Sequence, residues 1–148
     1  VAVHQPPYSL DTSHCGYPYI GDAIDQAAST TKVWPDLVLS GHVHNYQRFS
    51  RAVTFDDGTQ KNIPYIIAGA GGYATSSQRL HKIQKDDNGD TSAPLPFQTT
   101  QPEVQLEQFN DEEPGFLRVT VSATDLQVEY YTVPFGTTTA TQFDVVHI

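Results

Sequence analysis

Two short apolar runs, Val1-Ala2-Val3 and Leu37-Val38-Leu39, bracket a stretch with helical periodicity. This arrangement restricts the fold more than any other feature of the chain. Ile20, Ile24, Ala27 and Ala28 recur at i, i+4, i+7 and i+8, which places them on one face of a helix from about Ile20 to Val33. Pro35 closes that helix. A strand, a helix and a second strand in such short compass make a βαβ unit, and the crossover leaves the two strands parallel. In open α/β sheets ligands bind beyond the carboxyl ends of the strands. The residues just after each run are therefore the first candidates for chemistry.

Those residues are histidines. His4 follows the first run, and His42 and His44 follow the second, past Ser40-Gly41. Imidazole is the commonest metal-ligand side chain. In a regular strand, side chains 42 and 44 share a face. In a turn they diverge, and each can serve a different metal. An H-x-H pair is weak by itself in a chain with six histidines. Its placement after an apolar strand, matched by His4 after the other, raises it. His4, His42 and His44 are expected to converge at one end of the sheet.

The rest of the chain reads as strands. "FSRAVTF" and "IPYIIAGAGG" form two strands joined by a loop. Residues 76–114 are polar with little periodicity and are expected to be a long excursion with one short helix. Phe116–Ser122 and Leu126–Val133 alternate and form a hairpin about a turn at 123–125, and the tail adds one more strand. The fold class is α/β: a mixed sheet with few helices, α/β at the front and antiparallel behind. The length suits one domain, 1–148, able to bury roughly 70% of its unfolded surface. A net charge of −9 argues against nucleic acid as a general partner. No apolar run has the roughly 20 residues that span a membrane. One cysteine, Cys15, rules out an internal disulfide framework.

"VAVHQPPYS" followed by "SGHVHNYQR" resembles the last two signature blocks of the calcineurin-like metallophosphoesterases, closest to the purple acid phosphatase branch. Val1-Ala2-Val3-His4 matches a V-x-x-H block. Gly41-His42-Val43-His44, with Tyr46 and Arg48, matches a G-H-x-H-x-Y-x-R block. The resemblance covers residues 1–73 clearly. It implies the C-terminal half of a β-sandwich fold, and hydrolysis of phosphate esters at two divalent or trivalent metal ions of iron, zinc, manganese or magnesium type. His4 and His42 would ligate one metal and His44 the other. His14 would contact the phosphate or protonate the leaving group. Tyr46 and Arg48 would be scaffold. The resemblance also leans towards a secreted or periplasmic setting.

The family's earlier aspartate and asparagine blocks have no counterpart here. Gly21-Asp22 lies in the wrong place. The chain is thus expected to be a C-terminal fragment carrying the histidine half of a dinuclear site, inactive alone, with the exposed edge near residues 1–4 and 37–40 favouring a homodimer. A stand-alone binding module and a mononuclear zinc hydrolase are the competing readings. Plainer roles fit the other motifs. "GAGGY" is a turn after a strand, "DDNGD" a solvated turn that fails the calcium-loop pattern, and "EQFNDEE" an acidic surface loop. His81 and His147 read as surface residues, and Cys15 beside His14 lacks an orienting partner.

Overall fold

The computed structural model describes residues 1–72, 80–83 and 94–148. In chain order the elements are β1 (Ala2–Val3), α1 (Pro18–Thr31), β2 (Val38–Ser40), β3 (Tyr46–Thr54) and β4 (Gln60–Ala68). There follow β5 (Phe97–Gln98), β6 (Val104–Asn110), β7 (Gly115–Val121), β8 (Leu126–Thr132) and β9 (Thr141–His147). A six-stranded sheet has the order β1-β2-β4-β3-β6-β5, and a three-stranded sheet the order β7-β8-β9. β1, β2 and β4 are mutually parallel and the other pairings are antiparallel. The mixed, strand-rich α/β class expected from the sequence is the class observed.

The helix begins at Pro18, earlier than the apolar periodicity indicates, because proline's fixed φ suits the first turn and its missing N–H is not needed there. It ends at Thr31, ahead of the expected stop at Pro35, because Lys32 caps it in the left-handed conformation with φ 58°. Asp25 on α1 accepts two hydrogen bonds from Arg51 of β3, at 2.6 and 2.5 Å, and so fixes the helix against the sheet.

Side-chain alternation along β3 and β4 gives the large sheet two apolar faces. Phe49, Val53, Ile63, Tyr65 and Ile67 join Val38 on one face, with Ile24 and Trp34 packed against them. On the other face Tyr46, Ile66 and Leu37 meet Val128 and Tyr130 of the small sheet. Tyr46 stacks on Tyr130 with ring centroids 3.9 Å apart. Its hydroxyl donates to Asp144 Oδ2 at 2.8 Å, and Arg48 grips the same carboxylate at 2.7 and 3.2 Å. Tyr46 and Arg48 are scaffold that joins the two sheets.

Two expectations for the polar excursion are corrected. Residues 104–110 are a strand of the large sheet, with Val104 and Leu106 buried. Its alternation is hidden because Glu107 is an extra residue opposite the Arg48/Phe49 step. That bulge puts Leu106 and Phe109 on the same face although they are three apart. "EQFNDEE" is accordingly not a surface loop: part of it pairs with β3, and Asp111 is buried and accepts from the Ile83 amide at 3.0 Å. The short helix is absent among the described residues of the excursion, and "DDNGD" lies outside the described residues. Among the described residues, no helix is long and apolar enough to cross a membrane.

Candidate metal centre

Parallel pairing brings the ends of β1 and β2 side by side. Val3 is in register with Ser40, and the Gly41 amide donates to the His4 carbonyl at 3.1 Å. The loop after β2 then folds tightly on itself, with Val43 N donating to Gly41 O at 2.7 Å and Asn45 N to Val43 O at 2.9 Å. Val43 is fully buried, and its carbonyl lies where a side chain at position 69 would stand. The bend forces His42 into the left-handed region, φ 64°. That conformation is uncommon for a residue with a Cβ and is found where surrounding structure imposes it.

The bend also turns the two loop histidines apart. His42 Nδ1 lies 3.2 Å from His4 Nε2, while the Tyr17 hydroxyl lies 3.0 Å from His42 Nε2. His44 instead neighbours His81, with ring centroids 4.5 Å apart.

His81 is the correction to the sequence reading. Its side chain is only 16% exposed, and its backbone is clamped to the loop after β2. His81 N donates to His44 O at 3.1 Å, and Asn45 Nδ2 donates to His81 O at 2.9 Å. His14 arrives from the loop before α1. There the Asp11 carboxylate closes a turn by accepting from Ser13 N at 2.7 Å and His14 N at 2.5 Å. Buried Gln47 ties this loop to β3 by accepting from Leu10 N at 2.9 Å.

The rings form a connected series. Centroid separations are 5.1 Å for His4–His42, 5.2 Å for His42–His14, 4.7 Å for His14–His81 and 4.5 Å for His81–His44. His147 stands apart, 3.8 Å from Asp125. The structure therefore brings His4 and His42 into direct contact, puts His14 beside them, and connects His44 through His81. The sequence reading missed His81 and Asp11. Asp11 had one local signal, its place three residues before His14. His81 had none, lying in a segment without periodicity.

Crowding and partial desolvation disfavour imidazolium. Burial is the first cause holding the His42 pKa below its ordinary value of 6.5, followed by the nearby His14, His4 and His81. Burial, then His81, His14 and His42, lower that of His44, against an opposing pull from Asp11. Both shifts favour the neutral ring, the form that ligates metals. "GAGGY" behaves as a turn over its described part: Gly72 N donates to Ala70 O at 3.0 Å. Cys15 is exposed.

No family model matches the chain, and no curated protein matches it.

Proposed function

We propose that this chain supplies the imidazole side of a two-metal centre that hydrolyses phosphate esters, with carboxylate ligands contributed by polypeptide outside this sequence. The observation that carries the reading is the 3.2 Å approach of His4 Nε2 and His42 Nδ1 beyond the carboxyl ends of two parallel strands. Nitrogens ligating one ion at about 2.0–2.1 Å lie about 3.0–3.4 Å apart, so this pair fits a transition metal as it stands. Neutral imidazoles bind the cation without adding charge that would repel a phosphate. The Tyr17 hydroxyl on Nε2 fixes the His42 ring, the role an outer partner has at a metal-ligating histidine. In this reading His44, which lies beside His81, would serve a second ion. When bound, such a pair lowers the pKa of water and offsets charge on the phosphoryl oxygens. His14, with a side chain 38% exposed and its ring against His42, would in this reading contact a phosphate oxygen or protonate a leaving group.

The test is hydrolysis of an aryl phosphate by the full-length protein. Activity that survives both chelation and His42→Ala overturns the reading. The isolated chain is expected to turn over far below the median enzyme rate of about 10 per second, with manganese, zinc or iron added. Ordinary turnover by the chain alone would show that no further ligands are needed.

A further inference from the structure

We propose that Asp11, His14 and His81 form a separate, complete site for one zinc-class divalent cation, independent of the His4–His42 pair. The three residues come from two segments that the fold clamps together. Thr12 N donates to Lys82 O at 3.0 Å, and Asp11 bridges Ile83 in antiparallel fashion. One ligand atom from each residue lies within 4.8 Å of the others. His14 Nδ1 and His81 Nδ1 each stand 3.5 Å from an Asp11 carboxylate oxygen.

The second observation is an electrostatic deficit. The Asp11 side chain is fully buried, and its Oδ2 has no hydrogen-bond partner. His14 Nδ1, also buried, has none either. A buried carboxylate oxygen left without a donor is costly, and a cation relieves that cost directly. Two imidazoles and one carboxylate are the donor set of zinc sites that keep an open coordination position. The Asp11 Oδ1 bonds to the Ser13 and His14 amides hold the carboxylate in place. The His14 and His81 rings are parallel to within 3°, so their lone pairs do not yet meet at one point. His14 is the more exposed ring and turns to complete the set, while a cation at His81 Nδ1 would take the place of the bond that atom accepts from His44 N at 3.3 Å. Occupancy engages His14, so the cation and proton delivery by His14 exclude one another.

Zinc, and cobalt(II) as its visible probe, would be titrated into the purified chain at neutral pH. The expected result is a tight equivalent that raises the melting temperature. Asp11→Asn retains an oxygen for the two amides, and His81→Gln retains an acceptor. Each is expected to weaken that equivalent by about 100-fold or more, beyond the 10–100-fold that outer partners carry. His4→Gln and His42→Gln are expected to leave it intact. Circular dichroism establishes that each variant is folded. If Asp11→Asn unfolds, His81→Gln and His14→Gln decide. The proposal is overturned if the wild-type chain shows no saturable zinc binding. It is also overturned if the tight equivalent survives in folded variants at Asp11, His81 and His14, or is lost with His42 alone. These outcomes are read on cation binding by the chain, so they are distinct from the hydrolysis test of the full-length protein.

Discussion

His42 carries both the left-handed backbone and a lowered pKa, and each supports an expected outcome. Asparagine tolerates that backbone and a β-branched residue does not. His42→Val is therefore expected to be less stable than His42→Asn by about 1–2 kcal/mol in urea unfolding, the usual cost of such strain. Equal stabilities would show that the loop relaxes. Position 69 is equally demanding, because an added Cβ would lie 2.0 Å from the Val43 carbonyl oxygen. Gly69→Ala is expected to lose about 2 kcal/mol or more, as overpacking against backbone does. The pH dependence follows from His42 and His44. Well above their ordinary pKa of 6.5 both are largely neutral whether the chain is folded or not, and their contribution to stability is flat. As pH falls below about 6.5 the unfolded chain takes up protons that the folded chain resists, so stability declines toward acid. Urea midpoints followed downward from neutral pH should fall, and replacing both histidines by glutamine should flatten the curve. A midpoint that rises on acidification would contradict the assigned direction.

Between elements, the ion pairs differ in burial and so in what their loss costs. Asp144 of β9 is 10% exposed and faces Arg48, 19% exposed, with Tyr46 on the same carboxylate. Removing it strands a largely buried guanidinium, so Asp144→Ala is expected to cost about 3 kcal/mol and to loosen the small sheet first. Asp25 is 30% exposed and anchors α1 through Arg51. Asp25→Ala is expected to cost clearly less, because water screens the pair more. Denaturation of the two variants side by side, with hydrogen exchange in β7–β9 as the local readout, checks the order. A larger loss at Asp25 would show that the helix, rather than the second sheet, holds the large sheet together.

At the scale of the molecule, the conspicuous surface is the β1 edge. Among the described residues β1 pairs on one side only, with β2, and Val1 is 59% exposed. An apolar groove of about 780 Å³ runs beside it between α1 and the strands, with Ile20, Ile24, Trp34 and Leu39 among its lining. Unpaired edges of this kind recruit another chain. The expected outcome is a mass by light scattering that rises with concentration, and a return to monomer on Ala2→Lys, which places a charge on the edge. A monomeric mass at every concentration would show that the edge does not drive association.

The residues alone determined the βαβ unit, the hairpin and its added strand, and the delivery of His4 and His42 to one end of the sheet. Each rests on periodicity and turn chemistry read over neighbouring positions. Those local terms also placed His44 and His14 near the site. Tertiary structure alone decided the rest. β6 escaped because the bulge at Glu107 breaks the alternation that marks a strand. His81 reaches the site only because Asn45, His44 and Asp111 hold its segment through bonds spanning 28 to 37 residues. Asp11 became a buried carboxylate only when that segment closed over it. Long-range closure of this sort leaves no pattern in the chain. It is driven by satisfying buried polar groups, and their partners are set by the fold as a whole.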